Sequence, residues 1–385
     1  MKKYYRIIIP ILFVLALALG FIQNRQDKTF SFGQTNRITY FKNPSSDSLE
    51  GYYNKSQEIV KKADNNKRTL SFLAVGDIML SRSVALAIEK STDPELPFTN
   101  TSNLLKQTDF NFGNLESPIS GNDFYNKTGS LVFNAPQKYA KKLLNYNFLA
   151  LNLANNHSLD QGEEGLQYTI NFLDKLNIKH TGTGTTLNEA WQPAIVEKNG
   201  LRIAFLGASY ASTNDGGKIN NQFVARIEDT ENLKHEIEIL KKQVDFIVVT
   251  MHAGTEYTKI PNSSQTHFAR QAIDLGADMV IGAHPHWVQT IEHYKGKYIF
   301  YSLGNFIFDQ EWSRETKEGL TIKVQISQMG GNSQNNLQGQ KTQTHLDSIE
   351  LIPVIIENYS TPRLATPEES TTILKKIGEK NTILY

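Results

Sequence analysis

The segment FLALNLANNHSLDQGEEGL, Phe148 to Leu166, ends an apolar run on Asn155, Asn156 and His157, with Asp160 and Gly162 close behind. Amides and imidazoles that face inward need hydrogen-bond or metal partners. Taken alone, the segment reads as a turn, because Asn, Ser, Asp and Gly are the usual turn residues. The same placement recurs along the chain. Asp77 follows SFLAVG, Glu116 follows FNFGNL, His252 follows FIVVTM, and His284 and His286 follow ADMVIGA. Alpha/beta sheets bind ligands outside the carboxyl ends of their strands, so several such ends can converge on one site. Asp, Glu, Asn and His together form a mixed oxygen and nitrogen donor set, suited to Mn, Fe or Zn more than to Mg or Ca. In extended geometry residues i and i+2 share a face, which predicts that the rings of His284 and His286 reach the same centre. Each residue has a plainer reading: a turn at Asp77, a solvated loop acid at Glu116, a satisfied core imidazole at His252. Five such strand ends in chain order outweigh those readings.

The elements that must position these residues are visible in the hydrophobic pattern. Short apolar runs alternate with amphipathic stretches. Leu166, Ile170, Leu173 and Leu176 recur at helical spacing, as do Leu233, Ile237 and Leu240. NSSQTHFARQAIDLGAD predicts a further helix with a Ser or Asn cap and Gly276 as its stop. Alternating strands and helices imply an α/β core with layered sheets. AIVEKNGLRIAFL predicts a hairpin turning at Asn199-Gly200. After Gly319 the pattern changes to two long strands around a Gln/Asn/Gly-rich loop, followed by a helix with a Thr cap. Gly182-Thr183-Gly184 reads as a turn rather than a phosphate loop, since no Lys-Ser/Thr follows.

Composition bounds the chemistry further. The 385 residues allow one large domain or two. Lys plus Arg number 40 against 39 Asp plus Glu, which gives no global electrostatic case for nucleic acid. The absence of cysteine excludes disulfides, thiolate metal sites and a cysteine nucleophile. No Gly-x-Ser-x-Gly elbow points to a serine hydrolase. At the N-terminus, Lys2, Lys3 and Arg6 precede an apolar run from Ile7 to Ile22. Ala16-Leu17-Ala18 could serve as a secretory cleavage site. The run stays apolar through Phe21 and Ile22, however, which favours an uncleaved signal anchor over residues 1–28 with the N-terminus inside and the main domain outside the cell. A polar linker or stalk over 29–69 is expected to follow, then a main domain over 70–318 that residues 319–385 complete with a hairpin and helix.

The ordered series GDIML, NLESP, NNHSLDQG, HAGTEY, GAHPHWVQ and YSLGNFIFD, from Ser71 to Asp309, resembles the poly-γ-glutamate capsule synthesis protein family of CapA/PgsA type. That family looks like a branch of the calcineurin-like metallophosphoesterase superfamily. The resemblance implies a four-layer α/β sandwich, two packed β-sheets flanked by helices, with divalent metal at the strand ends. Carried over by position, Asp77, Glu116 and His286 would hold one metal. Glu116, Asn156, His252 and His284 would hold the other, with Glu116 bridging. His157 would be the general acid, steered by Asp160. Arg82, Glu256 and Asn305 are further candidates for the substrate's surroundings, Arg82 with the alternative of a surface helix position and Glu256 with that of orienting His252. Two departures stand out: Met79 occupies a place where the superfamily commonly has His, and the bridging acid is Glu116 rather than Asp. One firm metal and one weak or absent metal are therefore expected.

The resemblance implies a membrane-anchored component of poly-γ-glutamate synthesis or export. Its partners would be that polymer or another anionic surface polymer, the membrane, and other membrane subunits of the polymer synthase. Metal-dependent hydrolase or transferase chemistry is the first reading. A non-catalytic accessory subunit and an exported phosphoesterase are the alternatives, because fold does not by itself give activity. Retention of His157 and Asp160 beside the ligands favours chemistry, and Met79 pulls the other way.

Overall fold

The alternation of apolar and amphipathic stretches resolves into two β-sheets. The computed structural model describes residues 67–210, 221–329, 343–378 and 383–384. The expected anchor over 1–28 and nearly all of the expected linker lie outside the described residues, as does most of the Gln/Asn/Gly-rich loop. Among the described residues no helix is long and apolar enough to cross a membrane.

The first sheet runs β14-β13-β12-β1-β2-β3-β4, with β11 beside β1 and β15 beside β13. Its strands are β1 Lys67–Ile78, β2 Phe110–Leu115, β3 Phe148–Asn152, β4 Lys179–Thr181, β11 Asn305–Ile307, β12 Glu318–Met329, β13 Thr344–Glu357, β14 Thr361–Leu364 and β15 Ile383–Leu384. The second sheet runs β5-β6-β7-β8-β10-β9, built from β5 Ala194–Lys198, β6 Leu201–Ser209, β7 Phe246–His252, β8 Met279–Ala283, β9 Ile291–Tyr294 and β10 Lys297–Phe300.

The two sheets pack face to face through Phe72, Phe110, Phe112, Phe205 and Val248, all buried. The outer face of the first sheet is covered by the helices Arg82–Ser91 and Gly162–Lys175, which bury Val84, Ile88, Leu166, Ile170 and Leu173. The outer face of the second sheet is covered by Thr230–Gln243 and Ser263–Leu275 through Leu233, Ile237, Leu240, Phe268 and Ala272. This is the expected order of helix, sheet, sheet, helix. The parallel strands β2, β7 and β8 are buried along their whole length because helices or a second sheet cover both faces.

Local signals hold where the chemistry is local. The β5–β6 hairpin pairs Lys198 with Leu201, and Asn199 and Gly200 both take positive φ, as a two-residue primed turn requires. Helix Ser263–Leu275 starts on an Asn262–Gln265 capping box and stops at Gly276, and helix Pro367–Lys376 starts on a Thr366–Glu369 box. The Gly76-Asp77 step is not a turn. β1 runs on to Ile78, and a Cβ at position 76 would lie 1.9 Å from the Gly304 carbonyl oxygen, so glycine is required there by close backbone approach.

Register decides where the site lies. β12 pairs with β1 only as far as Ala74, and β11 takes over at Asp77, opposite Asn305. On the other side Asp77 is level with Asn114, and Asn114 is level with Asn152. In the second sheet Ser209, His252 and Ala283 are level. The carboxyl ends of these six strands, three parallel in each sheet, thus meet at one edge of the sandwich.

Candidate metal centre

Two sets of donor atoms meet at this edge. In the first, Asn156 Oδ1 lies 2.7 Å from His252 Nε2, and His284 Nδ1 lies 3.1 Å from the same nitrogen. The other ring nitrogen of His252 meets Asn114 Nδ2 at 3.1 Å, which fixes the ring with Nε2 facing its two neighbours. In the second set, His286 Nδ1 lies 2.9 Å from Asn305 Oδ1, an arrangement that turns Nε2 toward Glu116 Oε1 at 3.9 Å. His286 Nδ1 is also 3.6 Å from Asp77 Oδ2. Donor atoms of Asp77, Glu116 and His252 all lie within 4.8 Å of one another. All eight of these residues are buried.

The residues present fit a divalent cation, and Glu116 is the observation that shows it. Both of its carboxylate oxygens are buried with no hydrogen-bond partner. A buried carboxylate is costly unless a cation or donors compensate it. Burial, reinforced by the Asp77 charge, holds the Glu116 carboxyl well above its usual range. Burial also raises Asp77 to about 7, although hydrogen bonds from Asn114 and the His284 backbone pull the other way. The imidazoles respond oppositely. Burial pushes His252 and His284 well below the usual histidine value and lowers His286 to about 4, so all three are neutral and ready to donate lone pairs. Two crowded carboxylates and three neutral imidazoles are what a cation would reconcile.

The structure corrects the reason given for His284-Pro285-His286. These residues are not extended: His284 has φ 99° and His286 φ 58°, both positive, and β8 has already ended at Ala283. The two rings diverge, with centroids 6.2 Å apart, one toward His252 and the other toward Glu116. Non-glycine residues in this region are strained and persist where the surroundings over-determine them. Here the His284 amide donates to Asp77 Oδ2 at 3.3 Å, and the Pro285 carbonyl accepts from Tyr257 at 2.9 Å.

His157 stands on the far side of Glu116. Its Nδ1 is 2.8 Å from Asp160 Oδ2, and its Nε2 is 3.8 Å from Glu116 Oε1. The ring stacks on Phe133 with centroids 3.9 Å apart, while Asp160 Oδ2 also accepts from the Phe133 backbone amide at 2.6 Å. Asp160 thus fixes both the imidazole and the aromatic surface beneath it. Asn155 belongs to the turn, accepting from the His157 amide at 3.0 Å. It also reaches across to the Leu115 carbonyl at 2.9 Å, which ties the turn to the residue before Glu116.

The remaining candidates take other places. Arg82 is not on the surface. It is buried, paired with Asp309 and bonded to the Ser130 carbonyl at 2.9 Å, with its guanidinium 4.6 Å from the Phe133 ring centroid. Asn305 is buried, and its amide is committed to His286, Gln310 and the Thr316 carbonyl, so it orients a ring rather than lining the cleft. Glu256 is exposed, and the ring nitrogens of His252 face Asn114, Asn156 and His284 instead, so Glu256 does not orient His252. Met79 is buried in the apolar layer under helix Arg82–Ser91, and its sulfur accepts from the Ser81 amide at 3.1 Å. It brings no nitrogen or oxygen donor to the second set.

Asn114 and Asn152 were missed from sequence. Asn114 Nδ2 donates to Asp77 Oδ1 at 2.7 Å, and its Oδ1 accepts from Asn152 Nδ2 at 2.8 Å. The available signal was an amide as the penultimate residue of FNFGNL and the last of FLALN, inside runs that are mostly apolar. Replacing Asn114 by Ala leaves Asp77 and Asn152 each short of a buried partner, which costs about 1–3 kcal/mol per group. Urea unfolding of N114A should show a midpoint lowered accordingly, and a variant as stable as the parent would remove Asn114 from this role.

The family model for the bacterial capsule synthesis protein PGA_cap matches residues 71–310. The chain is 35% identical over 263 residues to the PGA biosynthesis protein CapA of Bacillus subtilis (strain 168), covering 68% of this chain and 69% of that protein. It is 32% identical over 286 residues to the capsule biosynthesis protein CapA of Bacillus anthracis, covering 70% of this chain and 67% of that protein. Among solved structures, the calcineurin-like phosphoesterase YfkN from Bacillus subtilis superposes with a TM-score of 0.42 at 15% identity, covering 81% of this chain and 97% of that one.

Proposed function

The chain belongs to the PGA_cap family of bacterial capsule synthesis proteins, and from that membership we propose that it serves poly-γ-glutamate synthesis or export as a metal-dependent hydrolase or transferase. The observation that carries the catalytic part is the His157–Asp160 pair facing the unpartnered Glu116 carboxylate across 3.8 Å. The ring is held by Asp160 and stacked on Phe133, and a merely structural role gives no reason to aim it at the donor cluster. The apolar run behind Lys2, Lys3 and Arg6 supports placement at the outer face of the cell membrane, alongside other membrane subunits of the synthase.

Asn156, His252 and His284, with Glu116, would hold the tighter cation. Asp77, His286 and Glu116 would hold a weaker one, since Met79 supplies no donor there. A divalent cation at these residues supplies Lewis acidity and a nucleophilic water at neutral pH. The chain's own residues do the rest. Asp160 accepts from His157 Nδ1–H and thereby presents Nε2 to the site, where it can give a proton to a leaving alkoxide or amine. Asn114 and Asn305 hold the Asp77 carboxylate and the His286 ring in place. Burial of the cluster strengthens every charge interaction within it.

The test is complementation. A strain lacking this chain is supplied with the parent, His157→Ala or His284→Ala, and the amount and length distribution of cell-associated polymer are measured. Catalysis predicts that His157→Ala fails to restore normal polymer although the protein is present with its metal. Full restoration by both variants would instead leave a non-catalytic accessory subunit.

A further inference from the structure

We infer that Tyr257 and Trp312 form a binding wall for the amide backbone of an extended acidic polyamide chain entering the metal-ligand cluster. The inference rests on the proposed role in poly-γ-glutamate synthesis and names the part of the site that would hold the polymer. The wall begins at a ligand candidate. Tyr257 stacks on His286 with centroids 5.9 Å apart and planes at 26°, and Trp312 meets Tyr257 edge to face at 4.6 Å and 80°. The three rings pass from buried through half-buried to open solvent, since Trp312 is 61% exposed.

A large indole left in water beside a half-buried phenol costs hydrophobic free energy that burial by a ligand would recover. The chain holds it there. Gln310 Nε2 donates to the Tyr257 hydroxyl at 3.2 Å, and Gln310 Oε1 accepts from Asn305, the residue that orients His286. Tyr257 itself sits at φ 60°, with its amide bonded to the Pro285 carbonyl between the two site histidines. The segment that carries Trp312 is therefore tied to the donor cluster by hydrogen bonds as well as by ring contacts.

On the other flank Phe133 stacks on His157 and continues into Val132 and Leu131, which are 44% and 75% exposed. The rings step outward from His286 by 5.9 Å and then 4.6 Å, a longer path than a single phosphate or carboxylate covers, which points to a chain-like occupant. A γ-linked glutamyl polymer alternates flat secondary amides and methylene pairs with carboxylates. The amides and methylenes can lie against aromatic faces while the carboxylates remain in water. Free glutamate carries two carboxylates and an ammonium and has no such repeating flat face.

Calorimetric titration of the full chain with γ-glutamyl oligomers, and separately with free glutamate, tests this. The parent should bind the oligomer and show no comparable affinity for glutamate. Trp312→Ala should weaken oligomer binding about tenfold, the scale of one lost aromatic contact with its buried area. Trp312→Phe should recover part of that loss, and metal content should be unchanged in both. Equal oligomer affinity in the parent and Trp312→Ala overturns the wall alone. No oligomer binding by the metal-loaded parent overturns the wall together with the polymer reading on which it rests.

Discussion

Replacing His157 by Ala is expected to lower turnover about 100- to 10,000-fold, the contribution typical of a positioned general acid or base, while bound metal stays at the parental level. His157 differs from the proposed ligands in its support: its Nδ1 is held by the Asp160 carboxylate, whereas His252 and His286 are held by the amides of Asn114 and Asn305. Metal content therefore reads ligand loss, and rate reads proton transfer. The loss should depend on the leaving group. The p-nitrophenolate of a p-nitrophenyl ester departs as a stable anion and needs little protonation, whereas the phenolate or alkoxide of a phenyl or alkyl ester needs a proton as its bond breaks. The variant should thus be far more impaired on the phenyl ester than on the p-nitrophenyl ester. Asp160→Asn should fall between parent and His157→Ala, because it leaves the imidazole in place without its anionic partner. Equal impairment on both esters would show that His157 does not protonate the leaving group.

The second large effect is expected at Glu116. Glu116→Gln keeps the shape and removes the charge that would bridge the two donor sets. Metal affinity should fall by at least about 100-fold, since loss of a residue that merely supports a ligand already costs 10- to 100-fold. Equilibrium dialysis followed by elemental analysis checks this. The metal-free protein should respond in the opposite sense. In the folded chain the carboxyls of Glu116 and Asp77 bind protons more tightly than in the unfolded chain. The folded state therefore holds extra protons, and stability falls as pH rises from the ordinary carboxylate range toward the raised values.

The three histidines act oppositely, because their lowered values make stability rise with pH up to about 6.5. Above about 6.5 that contribution is complete and the raised carboxylates alone remain. As pH rises beyond that point the metal-free parent should lose melting temperature, and Glu116→Gln should lose less. A parent with a flat profile in this window would mean that the Glu116 charge is already compensated. The same shifts make metal uptake depend on carboxylate protons rather than imidazole protons. Loading should weaken as pH falls below about 7, the Asp77 value, whereas exposed histidines would keep their metal until nearer their usual 6.5.

Much of this was written in local sequence. The apolar runs gave the strands, the 3.6-residue spacing gave the helices over Leu166 and Leu233, and the Asn-Gly, Asn262 and Thr366 signals gave a turn and two helix starts. These depend on neighbours within a few residues, so sequence determines them. The location of polar residues at strand ends was legible for the same reason. The motif series from Ser71 to Asp309 named the family, whose model matches 71–310.

Tertiary structure decided what each polar residue does. The partners lie far apart in sequence: Asn156 with His252, Arg82 with Asp309, His284 with Asp77. Only strand register brings Asp77, Asn114 and Asn152 level, and a slip of one residue would turn each to the opposite face. Arg82 and Asn305 look like substrate groups in a motif and become supports once their partners are seen. His284 and His286 reach their places through positive φ, against the intrinsic preference that a sequence reading must assume. Sequence alone thus determined which donors this protein carries and the strands that present them. Packing of two sheets decided which donors face each other, because burial and distant contacts, rather than residue type, set their charge and direction.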